Sequence, residues 1–350
     1  MLRASVFLAL TLLLSACGKE PLYQEEGFVF GTRVEVSIYG EDEPRSRAAV
    51  TSIMQEFQRL HVLLHAWQPS ALNKLNQSFA EAKPASITPE LATMLQDAAQ
   101  LSALSDGLFN PAIGGLVKLW GFHADEYKAT LPDTKQLAAL VTANPQLSDL
   151  SFKLVSDKKI AAYQTASRNR AVQLDLGGYA KGYALDRAAE LLKRQGMQHA
   201  LINIGGNILA LGTHGSRPWR VGIQHPRKPG PLATLALHDG EAIGTSGDYQ
   251  RYFEHGGQRY CHLIDPRTGK PAQGVQAATV LTRGARAGVL SDATSKPLFI
   301  AGVGAFQASA DKMQISEALI IDASGTVHLT AAMQKRLEFT DKNTATLLVQ

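Results

Sequence analysis

Residues 175–186, which read D-L-G-G-Y-A-K-G-Y-A-L-D, have the composition of a corner that binds an anion. Residues 172–176 alternate apolar with polar side chains, which predicts a strand, and helical spacing follows. The two glycines lack a Cβ, so the backbone can approach a ligand, and a helix N-terminus attracts negative charge. Lys181 adds a positive charge in the first turn. Asp175 can accept hydrogen bonds from a ribose or a base, or act through a metal.

This stretch is neither the phosphate loop G-x-x-x-x-G-K-[ST] nor the dinucleotide motif G-x-G-x-x-G. Taken by itself, it also fits an ordinary strand-to-helix turn with a surface lysine, so other motifs must decide. Four further motifs occur, F-G-T (30–32), G-L-F-N-P-A-I-G-G (107–115), T-S-G-D-Y (245–249) and H-L-I-D-P-R-T-G (262–269).

The charge and composition are those of a globular protein and argue against a nucleic-acid partner. The 350 residues are 45% hydrophobic and 19% charged, and the net charge of +4 is spread evenly. No run of five like charges occurs, so we expect no nucleic-acid binding. The length is enough for one large domain or two.

The N-terminus predicts export and a lipid anchor. Arg3 precedes an apolar run at residues 6–14 that is too short to span a membrane. The following L-S-A-C resembles the site where a bacterial lipoprotein signal is cut and the cysteine, here Cys17, becomes lipid-modified. The alternative is an ordinary secretory signal with a chance cysteine. We expect residues 1–16 to be the signal peptide and residues 17–27 a polar tether.

The expected location is the periplasmic face of a membrane. Gly18, rather than an aspartate, follows the cysteine, which hints at the outer membrane over the inner one. Cys261 is the only other cysteine, so an acylated Cys17 leaves no pair for an intramolecular disulfide. The mature chain must then rely on its core, which about 330 residues can supply.

The order of predicted elements is mixed, which indicates an α+β fold. Thr88 and Pro89 mark a helix start, and no convincing linker follows Thr32, so we expect residues 28–350 to form one domain. The expected helices lie at residues 45–64, 88–105, 133–140, 178–194 and 287–300. The expected strands lie at residues 28–39, 152–163, 172–176, 200–204, 208–211, 219–223, 233–237, 242–245, 259–264, 276–281 and 317–329.

Taken together, the motifs resemble those of the ApbE family of FAD:protein FMN transferases, which are periplasmic lipoproteins. The patterns D-x-G-G-x-A-K-G-x-x-x-D, N-x-G-G-N (203–207), T-S-G-D-Y and H-x-I-D-P-x-T-G occur in the family's order. The resemblance covers nearly all of the mature chain. It implies a single mixed α/β domain with several antiparallel-rich sheets and flanking helices. It also implies that FMN is moved from FAD to a Thr or Ser of a periplasmic partner flavoprotein, with release of AMP.

The same resemblance implies residue roles. Phe30 stands where the family usually has Met, and Asn110 where it usually has Asp. The carbonyl of Gly178 and the carboxylate of Asp292 would hold Mg²⁺. The residues implied in FAD binding are Phe30, Trp67, Leu108, Phe109, Asn110, Asp175, Lys181, Ser246 and Ile264.

The implied transfer is an attack of a hydroxyl on a pyrophosphate phosphorus, which depends on positioning and charge neutralisation. Mg²⁺ with oxygen ligands would supply the charge. His262 is the best candidate for the base that takes the hydroxyl proton, because a histidine pKa lies near the working pH. We expect Asp265 or Asp248 to orient it. The alternative is that His262 is a hydrogen-bonded structural residue.

The chain departs from the family pattern at the metal position. That pattern is D-x-x-x-T with both side chains on the metal, whereas here Lys296 follows Asp292. A protonated lysine cannot ligate Mg²⁺, and at i, i+4 it would pair with Asp292 and could neutralise the pyrophosphate itself. A solvent-facing Lys296 is the alternative. The need for Mg²⁺ is therefore open, as are two other outcomes, namely hydrolysis of FAD to FMN and AMP, and an FAD-binding lipoprotein with weakened catalysis.

Overall fold

A long sheet and the helices packed on it form the frame of the molecule, and the computed structural model describes residues 22–124, 126, 129–157 and 160–349. The strands are β1 (Leu22–Val29), β2 (Thr32–Tyr39), β3 (Ala85–Ile87), β4 (Leu150–Asp157), β5 (Ile160–Ser167), β6 (Ala200–Ile204), β7 (Asn207–Leu211), β8 (Trp219–Gln224), β9 (Pro231–Leu237), β10 (Glu241–Gly247), β11 (Tyr252–His255), β12 (Gln258–Cys261), β13 (Ile264–Asp265), β14 (Lys270–Pro271), β15 (Val275–Arg283), β16 (Glu317–Asp322), β17 (Val327–Leu329), β18 (Glu338–Phe339) and β19 (Thr346–Leu348).

Helices occur between these strands throughout the described chain. They are α1 (Glu43–Leu64), α2 (Ala71–Ala80), α3 (Pro89–Leu104), α4 (Gly114–Leu119), α5 (Thr134–Ala143), α6 (Ala180–Arg194), α7 (Ala287–Ala301), α8 (Phe306–Lys312) and α9 (Ala331–Gln334), with 3₁₀ turns at Leu147–Asp149 and Val303–Ala305. The mixed order confirms the predicted α+β class with antiparallel-rich sheets and flanking helices.

The main sheet has nine strands in the order β1-β2-β6-β7-β10-β15-β16-β17-β19. Its neighbours are antiparallel except for β17 and β19, which run parallel. Smaller sheets join β18-β9-β8 and β3-β5-β4, and β11-β12 and β13-β14 are separate hairpins.

The centre of the main sheet is covered on both faces. Strand β15 has eight consecutive buried residues. Ala278 and Val280 lie in an apolar cluster with Phe299 of α7, whereas Leu281 lies in a cluster with residues of β8 and β9. Helix α7 is therefore fixed against the centre of the sheet.

Two glycines let α6 and α7 approach each other closely. A Cβ at Gly182 would lie 2.3 Å from the carbonyl oxygen of Gly288, and a Cβ at Gly288 would lie 2.4 Å from the carbonyl oxygen of Gly182. Asp186 accepts hydrogen bonds from the main-chain nitrogens of Gly288 (2.7 Å) and Val289 (2.9 Å), which otherwise lack partners at the start of a helix. Burial raises the pKa of Asp186 to about 7. This contact sets the first turn of α6 beside the first turns of α7.

Strand β1 begins inside the segment that we assigned to a tether. Residues 22–27 pair with β2, with Leu22 opposite Tyr39, so these six residues of the predicted tether belong to the main sheet. The segment resembled a tether because an edge strand can pair its backbone while several of its side chains stay polar and half of them stay exposed. Cys17 and the predicted signal peptide lie outside the described residues. No helix of the described residues is both long and apolar enough to cross a membrane.

Most of the other predicted elements are confirmed. Helix α3 starts at Pro89 with Thr88 accepting from the main-chain nitrogen of Leu91, as the sequence predicts. Helix α2 was not predicted. The strand expected at residues 259–264 is wrong, because β12 ends at Cys261 and β13 begins only at Ile264. His262 therefore lies in an interruption between two strands.

Candidate functional site

The glycine-rich corner is an extended segment rather than a strand. The strand predicted at residues 172–176 is wrong, since this segment forms an isolated bridge, between Ile113 and Gln173, and a few backbone bonds to residues 111–114 rather than a strand of a sheet. Both main-chain polar groups of Leu174 instead bond to the side chain of Asn76, at 2.7 and 2.9 Å. Asp175 accepts from the nitrogen of Gly177 at 2.9 Å. Residues 172–176 thus lead into α6 as an extended segment that is not a strand of a sheet.

Three cations and His262 lie close enough to one another to interact electrostatically, and we call Lys181, Arg251, His262 and Lys296 the cationic cluster. Lys181 comes from the first turn of α6, Lys296 from α7, and the other two from the segments that flank β11 and β12. The ammonium of Lys181 makes no hydrogen bond or ion pair with a residue that the structure describes. Burial and the neighbouring cations lower the pKa of Lys181, and Asp292 opposes this shift. The cluster concentrates positive charge where an anion would bind.

His262 is held by the backbone in one tautomer. Its Nδ1 lies 3.2 Å from the carbonyl oxygen of Arg251, and the main-chain nitrogen of His262 donates to the same oxygen at 3.0 Å. A carbonyl can only accept, so Nδ1 carries the hydrogen and Nε2 keeps its lone pair. Nε2 has no hydrogen-bond partner among the described residues, so it can take a proton from a substrate.

The electrostatic surroundings keep His262 neutral. Burial and the charges of Arg251, Lys181 and Lys296 lower its pKa to about 3. Asp175 shows the opposite pattern, because burial raises its pKa whereas Gly177, Arg251 and His65 oppose the rise. A bound diphosphate would offset the cations and make His262 more basic, which is the direction that a general base requires.

Neither carboxylate that we expected to orient His262 does so. Both oxygens of Asp248 bond to Arg227, at 2.7 and 2.6 Å. Asp265 accepts from the main-chain and side-chain nitrogens of Arg267 in the turn that follows β13. The expectation is wrong because both acids already have arginine partners, and the carbonyl of Arg251 takes the orienting role.

The expected metal position is occupied by an ion pair of the chain itself. Nζ of Lys296 lies 2.6 Å from Oδ1 of Asp292 and 2.7 Å from its main-chain oxygen, and the nitrogen of Gly182 donates to Oδ2 at 2.9 Å. Asp292 is 1% exposed, and the Lys296 side chain 17%. A Cβ at Gly178 would lie 2.7 Å from Cε of Lys296, so the lysine side chain packs directly against the residue expected to supply the second ligand. Among the described residues no group of three or more His, Cys, Asp or Glu side chains could hold a metal. These residues do not fit Mg²⁺.

Phe30, His61 and His65 form an aromatic row beside the corner, and the backbone of Trp67 bonds to the last of them. Phe30 lies in the two-residue turn between β1 and β2 with φ +57°, which a bulky residue rarely adopts. Its ring centre is 5.8 Å from that of His61, and His61 is 5.2 Å from His65. Nδ1 of His65 accepts from the nitrogen of Trp67 at 3.2 Å. Since His65 also acts electrostatically on Asp175, the row leads to the corner.

The remaining residues that we predicted to bind FAD are buried, and most of them contact other parts of the protein. Leu108, Phe109 and Ile264 are buried, and of these Phe109 approaches Gly178. The side chain of Asn110 bonds to the carbonyl of Pro145 and to the nitrogen of Ala112. The hydroxyl of Ser246 lies 2.8 Å from that of Ser295 and joins β10 to α7. Asn110 and Ser246 thus use their polar atoms within the protein.

Sequence reasoning missed three residues that shape this site. Arg251 supplies a cation and the carbonyl that orients His262, and its position two residues after T-S-G-D-Y was the available signal. Asn76 supports the corner from 98 residues away, which no local pattern reveals. Asp186, although it ends the first motif, caps α7.

Comparison with known proteins gives a consistent picture. The model of the ApbE family matches residues 30–320. An FAD:protein FMN transferase of Rhodobacter capsulatus is 40% identical over 318 residues, which are 91% of this chain and 59% of that protein. This chain therefore spans less than two thirds of that relative. One of Haemophilus influenzae is 29% identical over 343 residues, 95% of this chain and 96% of that protein.

Solved structures agree at the level of the fold. The ApbE protein of Thermotoga maritima superimposes with a TM-score of 0.79 at 26% identity, covering 90% of this chain and 99% of that one. The apo flavinyl transferase ApbE of Pseudomonas stutzeri gives a TM-score of 0.75 at 26% identity, covering 91% and 97%.

Proposed function

The chain belongs to the ApbE family, and we propose that it is an FAD:protein FMN transferase. Its substrates are FAD and a Thr or Ser hydroxyl of a partner flavoprotein, and its products are the flavinylated partner and AMP. The observation that carries the proposal is the meeting of a neutral, oriented histidine with three cations at a glycine-rich helix start.

Binding divides between the two sides of the site. The diphosphate lies against Lys181 and the N-terminus of α6. The ammonium of Lys181 has no partner among the described residues and can therefore bind an anion. The aromatic row of Phe30, His61 and His65 offers ring faces and edges to the flavin or the adenine. Asp175, next to both, accepts hydrogen bonds from a ribose or a base.

The chemical step needs one proton acceptor and a set of fixed charges. The acceptor hydroxyl gives its proton to Nε2 of His262 while its oxygen forms a bond to the phosphorus on the FMN side. The bond from that phosphorus to the bridging oxygen breaks, and AMP leaves with the bridging oxygen. The cationic cluster stabilises the negative charge that develops on the phosphate oxygens and on AMP.

The test is to mix the purified chain with FAD and an acceptor flavoprotein domain made without flavin. We expect protein-bound flavin fluorescence on a denaturing gel, one AMP for each flavin attached. Free FMN and AMP without labelled acceptor would instead identify a hydrolase. FAD that stays bound and unchanged would identify a binding protein without catalysis and overturn the proposal.

We also propose that Cys17 is lipid-modified and holds the protein at the periplasmic face of a membrane, the outer membrane being favoured. The support is the sequence L-S-A-C after the apolar run at residues 6–14. Four residues lie between Cys17 and Leu22, so the Cα atoms of these two residues are at most about 17 Å apart. The domain would therefore lie close to the lipid surface.

Cys17→Ala should shift the protein out of the membrane fraction or block its processing. A processed variant that still sediments with membranes would contradict the anchor.

A further inference from the structure

We propose that the ammonium of Lys296 is the permanent cation of this site and binds the diphosphate of FAD directly, so that FAD binding does not require a divalent metal. This inference rests on the proposed function, and it concerns how this particular chain neutralises the charge of its substrate.

The geometry of the Lys296 side chain leaves one hydrogen-bond donor for a ligand. An ammonium has three N–H groups. Two of them point to Asp292, one to its Oδ1 (2.6 Å) and one to its main-chain oxygen (2.7 Å). The third has no partner among the described residues. The Lys296 side chain is only 17% exposed and is fixed by its two bonds to Asp292. Its third N–H is therefore available to an anion at the corner.

Both carboxylate oxygens of Asp292, which a metal would need, already have partners within the protein. Oδ1 of Asp292 faces Lys296, Oδ2 accepts from Gly182, and the chain of Lys296 lies over Gly178. A divalent ion would have to displace an ammonium from a carboxylate that is 1% exposed. Breaking a buried pair leaves an uncompensated charge, which strongly opposes such a displacement.

The site carries a net positive charge without any metal. Lys181, Lys296 and Arg251 carry three positive charges, and Asp292 and Asp175 carry two negative charges when both are ionised. Burial lowers the pKa of Lys181, and repulsion by Lys296 and Arg251 lowers it further. Mg²⁺ placed here would add two further charges to this repulsion.

The experiment measures FAD binding to the full-length chain by flavin fluorescence, in EDTA and in excess Mg²⁺. For the parent we expect affinities that differ by less than about 3-fold between the two conditions. For Lys296→Thr we expect affinity in EDTA to fall roughly 10- to 100-fold, the loss typical of one charge-assisted hydrogen bond, and to recover in Mg²⁺. Mg²⁺ titrated into the variant without FAD should also give a measurable heat of binding.

Two further variants control the result. Lys312→Thr also breaks a lysine–aspartate pair, with Asp106, on an exposed surface, and it should leave FAD binding unchanged in both conditions. Lys296→Arg keeps the positive charge, and it should bind FAD without a need for Mg²⁺. If Lys296→Thr does not fold, the parent and Lys296→Arg still decide the question.

The outcomes separate this inference from the proposed function. If the parent loses FAD binding in EDTA and regains it in Mg²⁺, Lys296 does not replace the metal, although the protein still uses FAD. If the parent binds no FAD in either condition, the proposed function itself fails. FAD binding by Lys296→Thr in EDTA at the affinity of the parent would also overturn the role of the ammonium.

Discussion

The first turn of α6 and the middle of α7 each bring one lysine to the same site, but they hold it in opposite ways. Lys181 has no hydrogen-bond partner among the described residues, and burial among other cations lowers its pKa. Lys296 is fixed by two bonds to Asp292. The difference shows that one residue type serves two purposes. An unpaired charge is free to bind the ligand, whereas a paired charge keeps a fixed position that a metal would otherwise take.

Both lysines lie near His262, a residue that we expect to take part in the reaction rather than in the binding of FAD. The backbone orients His262, and burial together with the charges of Arg251 and the two lysines lowers its pKa to about 3. If the cations bind and the histidine reacts, their substitutions must separate affinity from rate.

The largest expected effect belongs to His262→Gln. We expect transfer to fall on the order of 10²- to 10⁴-fold, which is typical of removing a general base, while FAD affinity stays within a few-fold. Single-turnover transfer and equilibrium FAD binding measure the two quantities separately. Transfer at nearly the parent rate would mean that His262 only supports the structure.

The pH dependence gives a further check on His262. A histidine must be neutral to accept a proton, and its pKa in the free protein is lowered, so kcat/KM should hold to well below pH 6.5 before it falls. Bound diphosphate offsets the cations, so the acid limb of kcat should lie at higher pH than that of kcat/KM. Identical limbs for the two parameters would contradict the electrostatic coupling.

The next largest effect is expected for Lys181→Met. FAD affinity should fall roughly 10- to 100-fold, because a hydrogen bond from a charged group contributes about 1.5–3 kcal/mol. Lys193→Met, on the exposed end of the same helix, is the control and should bind FAD as the parent does. Equal affinities of the two variants would remove Lys181 from the binding site.

A smaller effect tests the contact that brings the two lysines together. Gly182→Ala should lower the free energy of unfolding by about 1–3 kcal/mol, because the new methyl group overlaps the carbonyl of Gly288. The control is Gly304→Ala, where an added Cβ meets nothing within 4 Å. Urea unfolding of both variants checks the prediction. Equal stabilities would show that α6 and α7 can separate without cost.

The smallest effect is expected for Cys261→Ser, next to the reactive histidine. The thiol is buried in an apolar cluster, and burial raises its pKa to about 12. Transfer should therefore stay within about 3-fold of the parent, while stability falls by about 1–3 kcal/mol from the buried hydroxyl. A large loss of transfer with FAD binding and folding intact would place Cys261 in the site after all.

The sequence predicted those parts of the site that depend on near neighbours along the chain. Helix caps, the α+β order, and the pairing of Lys296 with Asp292 at i, i+4 are confirmed because each follows from residues within a few positions. The strand at residues 172–176 was wrong because alternation describes an extended backbone but not its partner.

Only the tertiary structure decided which groups meet. Asn76 replaces a neighbouring strand for the corner, the carbonyl of Arg251 rather than an acid orients His262, and the approach of Gly182 to Gly288 brings Lys181 beside Lys296. The physical reason is that such contacts are set by the packing of α6 and α7 on the sheet, whose strands come from distant parts of the chain. The sequence by itself determined which chemical groups the site contains, and the packing determined which of them are paired and which remain free for a substrate.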